Sequence, residues 1–177
     1  EQGILGLEIS WETHEELAEG SDNWAITWAD DDHQYTTWGD GGGFGGTNSD
    51  GRVSLGVARV EGDVDSYDAT NVWGGANTEN AASFGGKSYG ILSVGGVLYM
   101  WVSPGSNTTN YDEARLAVSD DHGASWEREE GAFTREERWI LPTFLQFGRD
   151  YAGARDEYVY VYAPRLAEST TGLQVQD

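Results

Sequence analysis

Two aspartates, Asp22 and Asp40, have the residue type and the spacing that acid–base chemistry on a sugar requires. Asp22 begins a run typical of a β-strand, and Asp40 follows the next such run within Gly39-Asp40-Gly41. Adjacent antiparallel strands place the start of one beside the end of the other, so we expect the two carboxylates to be close together. In glycoside hydrolysis, one carboxyl protonates the leaving oxygen and the other acts as nucleophile or activates water. Asp50, on the loop after Asp40, is a third catalytic candidate.

Residues that suit substrate binding surround this pair in the sequence. Cationic side chains can hold an anionic group or shift the pKa of a carboxylate, and aromatic side chains offer flat faces to sugar rings. The candidates are Asn23, Trp24, Phe44, Asn48, Arg52, Lys87 (the only lysine) and Tyr89. The alternative for an aspartate beside glycine is a turn residue. The alternative for Trp24 and Trp38 is a place in the core.

Three further patterns point to ligands only weakly. Gly41-x-Gly43-x-x-Gly46 has the dinucleotide-binding spacing, but no helix follows it to cradle a phosphate. Asp63, Asp65 and Asp68 leave a structural calcium ion open, although a solvated loop fits them better. The three histidines are too scattered for a metal-spaced cluster. We therefore expect no metal in the site and no cofactor, that calcium aside.

Short alternating or aromatic-rich runs, separated by Gly, Asn and Asp, must position these residues. Such runs predict an all-β fold. The candidate strands are Ile4–Trp11, Ala25–Ala29, Gln34–Trp38, Val53–Val60, Ser88–Val94, Val97–Ser103, Ala114–Ser119, Trp126–Glu130, Thr143–Phe147 and Tyr158–Ala163. Gly95-Gly96 between two of them is a strong hairpin signal. A repeat of about 40–60 residues with about four strands each predicts β-propeller blades.

We expect one domain or fragment over residues 1–177, with four-stranded antiparallel blades at about 20–80, 87–131 and 139–177. The run Ile4–Trp11 suits a closing strand. The octapeptide Ser119-Asp-Asp-His-Gly-Ala-Ser-Trp126 fits S-x-D-x-G-x-S-W and resembles the Asp-box of sialidase-like β-propellers. In that motif, the aspartate bonds amides of its own turn and the tryptophan packs into the blade. The resemblance implies that this turn joins a third strand to a fourth, away from the funnel, and that Asp22, Asp40 and Lys87 face the funnel.

The charge balance excludes several partners. The 31 acidic and 10 basic residues give a net charge of −21, which is typical of proteins from saline habitats; the alternative is an acidic extracellular enzyme. Nucleic acid and anionic membranes are not expected partners, because no basic patch is present to neutralise phosphates. The chain has no cysteine, which excludes disulfides and thiolate metal sites. We expect a secreted, periplasmic or cell-surface protein of a saline or marine bacterium or archaeon.

Two runs carry a resemblance to a family. Gly20-Ser-Asp-Asn-Trp-Ala-Ile-Thr-Trp-Ala-Asp-Asp and Tyr35-Thr-Thr-Trp-Gly-Asp-Gly-Gly-Gly-Phe resemble bacterial five-bladed propeller proteins that include endo-D-arabinanases. The resemblance implies an endo-acting glycoside hydrolase with its catalytic aspartates at Asp22 and Asp40, and a polysaccharide or oligosaccharide as partner. Such a ring needs roughly 300 residues. The 177-residue chain is therefore expected to be partial, or to complete the ring as a homo-oligomer.

Other functions remain open at this point. A carbohydrate-binding propeller without catalysis would use the same aromatic and acidic residues. A polysaccharide lyase would need a base such as Tyr89 and cations such as Arg52 and Lys87, but an acidic funnel disfavours an anionic substrate. A sialidase is weaker still, because the arginine triad that holds its substrate carboxylate cannot be placed.

Overall fold

The chain folds into three antiparallel sheets that follow one another in sequence. The computed structural model describes residues 3–103, 113–134, 136–137 and 139–165. The first sheet contains β1 (Asp22–Trp28), β2 (Gln34–Gly39), β3 (Gly56–Asp63) and β4 (Ser66–Trp73); the second contains β5 (Lys87–Val94), β6 (Val97–Ser103), β7 (Ala114–Ser119) and β8 (Glu127–Phe133). The third is the pair β9 (Thr143–Phe144) and β10 (Val161–Tyr162). The predicted all-β class is confirmed, and the described sheets do not close into a ring.

The strands of each four-stranded sheet are neighbours in sequence order. Two-residue turns join β3 to β4 and β5 to β6, whereas a long loop that begins at Asp40 joins β2 to β3. The β5–β6 hairpin turns at Gly95 and Gly96, whose φ values of 62° and 77° suit a two-residue hairpin turn. This confirms the hairpin that the glycine pair predicts. The only helices among the described residues are the single-turn 3-10 segments Trp11–Thr13 and Arg149–Tyr151.

The second sheet is covered on both faces, which explains its nearly continuous apolar sequence. Successive residues of a strand point to opposite faces. Ile91 of β5 accordingly lies in the core shared with the first sheet, and its neighbour Leu92 packs with Phe144 of the third sheet. Burying each such side chain contributes about 1.5–3 kcal/mol. This packing holds the starts of β1 and β5 beside each other.

On the outer face of the first sheet, the apolar side chains of the edge strand β1 are exposed, whereas Trp38 of β2 and Ala58 of β3 are buried. Trp24, Ile26 and Trp28 alternate along the edge strand β1, and each is at least 39% exposed. The opposite face of this sheet supplies Tyr35 and Val57 to the core. In the described part of the chain, one face of this sheet is therefore covered by the second sheet, and the other face has an exposed apolar row along β1.

Several predicted elements differ from the observed ones. The segment from Ile4 to Ser10 is exposed and pairs with no described strand, so the strand predicted at Ile4–Trp11 is not formed among the described residues. Its apolar alternation has no described backbone partner, and alternation alone does not make a strand. The strand predicted at Tyr158–Ala163 is reduced to Val161–Tyr162, and Thr143–Phe147 to Thr143–Phe144.

The acidic segment predicted as a solvated loop is the β3–β4 hairpin. Asp63 pairs with Ser66 across its tip, and Asp68 lies in β4 opposite Glu61. Hydrogen bonding to β3 over seven residue pairs forms this outer strand despite its weak apolar pattern. No helix among the described residues is long and apolar enough to cross a membrane.

Candidate functional site

The strand register brings Asp22 and Asp40 to the same end of the first sheet. Asp22 is the first residue of β1 and pairs with Gly39, the last residue of β2. Asp40 follows directly. A Cβ atom added to Gly39 would lie 3.2 Å from both Asp22 Oδ1 and Lys87 Nζ. The predicted proximity of the two aspartates is therefore observed, and Lys87 of the second sheet joins them.

Asp40 is held by two cations. Lys87 Nζ lies 2.5 Å from Asp40 Oδ1, and Arg52 Nη2 lies 3.4 Å from the same oxygen. Lys87 is only 4% exposed, whereas the Asp40 side chain is 30% exposed. Nζ has no partner in hydrogen-bond geometry among the described residues, so the charge of Asp40 is what chiefly stabilises this buried ammonium group. Arg52 also donates to the Asp40 carbonyl and to the side chain of Asn48.

Asp22 makes fewer contacts than Asp40 among the described residues. It is exposed, and its Oδ1 accepts a hydrogen bond of 2.7 Å from the side chain of Asn23. The two carboxylates thus have different environments: Asp40 lies over a buried ammonium group, and Asp22 faces solvent. Environments that differ in this way are what two carboxyl groups need in order to take different roles.

The backbone has an unusual conformation at Asp40 and at Asn23, the residue after Asp22. Asn23 and Asp40 both have φ = 58°, in the left-handed region that non-glycine residues rarely adopt. Asparagine and aspartate tolerate this region better than other residues with a side chain. Such conformations concentrate at functional sites, where the surrounding structure must hold them in place.

Asn71 of β4 holds the loop that carries Asp40 and Arg52. Its buried side chain accepts from Phe44 N (3.0 Å) and donates to the carbonyls of Gly42 (3.1 Å), Phe44 (2.9 Å) and Ala76 (2.7 Å). Sequence reasoning missed Asn71, because it missed β4. An asparagine within an unpredicted strand gives no signal of such a role.

An aromatic stack adjoins Asp22. Trp24 packs against Trp38, with ring centroids 5.7 Å apart and an interplanar angle of 25°, and against Phe44, at 5.4 Å. Trp38 is fully buried, so its alternative interpretation as a core residue is confirmed, whereas Trp24 is 39% exposed. Trp24 is therefore the member of this stack with the most surface for a ligand, and the two rings behind it fix its orientation.

A cleft of about 370 Å³ extends from this stack across the three sheets. Asn23 and Trp24 line it from β1, Tyr89 from β5, and Thr143 and Phe144 from β9. Gln146 also lines it, and its amide bridges Thr27 Oγ1 (3.0 Å) and the Ile91 carbonyl (2.8 Å). Sequence reasoning missed Thr143 and Gln146 as site residues, because only the packing of the third sheet places them beside the cleft.

Asp50 does not join the pair. It is exposed, and its backbone closes a turn with Thr47, since its amide donates to Thr47 Oγ1 at 2.9 Å. Its carboxylate makes no hydrogen bond or ion pair with the other described candidates. By the strand order predicted from the sequence, the loop Pro104–Arg115 faces the same end as Asp40, but its residues 104–112 lie outside the described part of the chain.

The opposite end of the two sheets carries a second polar group. His122 Nε2 lies 2.8 Å from Asp30 Oδ1 and 3.8 Å from Asp31 Oδ2, and Tyr35 donates to Asp31 at 2.7 Å. The hydrogen bond with His122 holds the pKa of Asp30 below its usual value. Burial, with the bond to Asp31, raises the pKa of Tyr35. Sequence reasoning missed this contact of His122, because 92 positions in the sequence separate His122 from Asp30.

Asp30, Asp31 and His122 are the one group of three in the described ranges whose potential ligand atoms all lie within 4.8 Å of one another. Asp63, Asp65 and Asp68 do not form such a group. The expected distribution of loops between the two ends is observed, because Asp30 and His122 lie together at the end away from Asp40.

The turn Ser119–Trp126 joins β7 to β8, the third and fourth strands of their sheet, as predicted. Asp121 accepts from Ser125 N (2.9 Å) and Ser125 Oγ (2.6 Å), and Ser119 Oγ lies 2.7 Å from it. Gly123 has φ = 86°, and Trp126 is 6% exposed. Burial alone would raise the pKa of Asp121, but the hydrogen bonds from Ser125 and Ser119 outweigh it and hold the pKa low.

No protein-family model matches this chain, and no curated protein matches it significantly.

Proposed function

We propose that this chain is part of a β-propeller glycoside hydrolase, related to the endo-D-arabinanase type, that uses Asp22 and Asp40 as its carboxylate pair. The observation that carries the proposal is their adjacency at the starts of the packed sheets, one over a buried lysine and one open to solvent. The exposed ring of Trp24 and the adjoining cleft supply a surface for sugar rings. The three successive sheets are proposed to be blades.

The charges around Asp40 favour a neutral sugar. Both cations near the site, Lys87 and Arg52, contact the Asp40 carboxylate. A uronate or sialate substrate would have to compete with that carboxylate for them. This supports a glycosidase acting on neutral glycans over a lyase or a sialidase.

The test is hydrolysis of neutral polysaccharides, arabinans included, at high salt, with the release of reducing ends as the measurement. Asp22→Asn and Asp40→Asn are each expected to lose about 10²–10⁴-fold in rate, the usual contribution of one acid–base group. Asp50→Asn is the matched control and should retain the wild-type rate. Hydrolysis that persists undiminished in both Asp22→Asn and Asp40→Asn would refute the proposal.

A carbohydrate-binding domain without catalysis is the second candidate. The specific observation in its favour is the ordered Trp24–Trp38–Phe44 stack, which offers a binding surface whether or not the aspartates react. Retention of a glycan in affinity electrophoresis without any turnover, lost in Trp24→Ala, would favour this function over hydrolysis.

The exposed apolar row of β1, formed by Trp24, Ile26 and Trp28, supports a further part of the proposal, that a second copy of the chain supplies the additional blades of a ring. Light scattering at high salt tests this directly. A stable oligomer that becomes monomeric in Ile26→Glu is expected, and a monomeric wild-type chain would exclude closure by self-association.

A further inference from the structure

Lys87 does not have the position of a residue that touches substrate. Its side chain is 4% exposed, and its Nζ atom is buried. A sugar cannot reach that atom without displacing Asp40. We infer that Lys87 is a positioning residue that sets the Asp40 carboxylate from the neighbouring sheet; this rests on the proposed hydrolase function, and the experiment below separates the two.

The contacts of Asp40 indicate what Lys87 does. Lys87 Nζ and Arg52 Nη2 both approach Oδ1, at 2.5 and 3.4 Å. Because the two cations converge on Oδ1, they hold the position of that oxygen, and neither ion pair occupies Oδ2. Lys87 is the better anchor, since it is buried whereas the Arg52 side chain is 44% exposed.

The local backbone needs such an anchor. Asp40 has a left-handed φ of 58° and lies between two glycines, which restrict the chain least. Lys87 begins β5, whose core side packs against the first sheet. The cation therefore comes from a rigid element, and the carboxylate it fixes comes from a flexible sequence. A misplacement of about 1 Å in a reacting group can cost about 10²-fold in rate.

The chain contains no cysteine, which permits a clean replacement at this position. Lys87→Cys is alkylated while unfolded, either with 2-bromoethylamine or with 1-bromopropane, and is then refolded. The two adducts have nearly the same length and volume and differ in the terminal charge. Arg59→Met is the control for loss of a partly buried cation, because Arg59 pairs with Glu61 and Glu79, away from Asp40.

The propyl adduct is expected to fold, by circular dichroism, and to lose about 10²-fold in kcat with KM changed less than about threefold. The aminoethyl adduct is expected to recover most of that loss, and Arg59→Met to keep the wild-type kcat. Equal kcat values for the two adducts would overturn the inference. So would a propyl adduct that fails to fold, since Lys87 would then be a purely structural residue.

Failure of the proposed function gives a different pattern. A wild-type chain that hydrolyses none of the glycans refutes the hydrolase, and the positioning of Asp40 is then decided by crystal structures of the two adducts. An Asp40 carboxylate displaced only in the propyl adduct supports the inference. A carboxylate in the same place in both adducts overturns it.

Discussion

Replacing either aspartate of the site by asparagine removes one negative charge, yet the structure predicts very different effects on stability. Asp40→Asn leaves the buried ammonium group of Lys87 without its anion. Removing one partner of a buried ion pair costs about 3–5 kcal/mol. Asp40 is 30% exposed, so water can partly replace it, and we expect a loss of about 2–3 kcal/mol. Asp22 is exposed and bonds only its neighbour Asn23 among the described contacts, so its change should stay within about 0.5 kcal/mol.

Urea unfolding followed by tryptophan fluorescence measures both losses, provided that the m-values agree. A loss of 2–3 kcal/mol corresponds to a fall in Tm of about 4–12 °C for a chain of this size. The double variant Asp40→Asn/Lys87→Met removes the buried charge as well. It should therefore lose less stability than the two single variants added together. If Asp40→Asn and Asp22→Asn differ by less than 0.5 kcal/mol, or if the double variant is additive, the argument from the buried charge is wrong.

Three further outcomes can be measured on the same chain. Asn71→Ala should lower the free energy of unfolding by about 2–4 kcal/mol and speed hydrogen exchange of the Phe44 amide, because four hydrogen bonds are lost. Asn71→Asp should not restore the slow exchange of that amide. Exchange at Phe44 that is unchanged in both variants would contradict the anchoring role of Asn71. The lowered pKa of Asp121 contributes stability above its unfolded pKa of about 3.9, which is lost as the pH falls through the folded pKa. Asp121→Asn should therefore flatten the fall of Tm with acid below about pH 5, whereas Asp120→Asn should not. Raising NaCl from about 0.05 to 1 M should raise Tm, because the net charge of −21 repels itself less as the screening length falls to about 3 Å; a Tm that falls would oppose the saline interpretation.

Much of the fold can be predicted from local pattern. Val97–Ser103 and Ala114–Ser119 have the bounds that their apolar runs predict, since both faces of their sheet are covered. The outer strand β4 could not be found in this way, because Asp68 and its polar neighbours lie at an exposed edge and only hydrogen bonding to β3 forms them into a strand. At Ile4–Trp11 the apolar pattern predicts a strand that pairs with no described residue, because a strand needs a partner that its own residues do not specify.

In the candidate site, too, contacts within one hairpin can be predicted from the sequence, whereas contacts between sheets cannot. The proximity of Asp22 and Asp40 follows from strand order within one hairpin, and it can be predicted from sequence. The ion pair between Lys87 and Asp40 depends on how two sheets pack, and the sequence alone left open whether Lys87 contacts a substrate anion or a carboxylate of the site. Asn71 and Gln146 are further cases, because their partners are up to 119 residues away in sequence and are set by tertiary packing.

The contacts at the two ends of the first pair of sheets also define how these sheets are oriented. Apolar packing has little directional preference, so a core such as that around Ile91 tolerates sliding and rotation of one sheet over the other. Lys87 with Asp40 at one end and His122 with Asp30 at the other are directional, and both would break if either sheet turned or shifted by one residue. Two such points determine a single crossing angle. The shape of the cleft beside Trp24 is thereby specified by polar side chains that lie outside it.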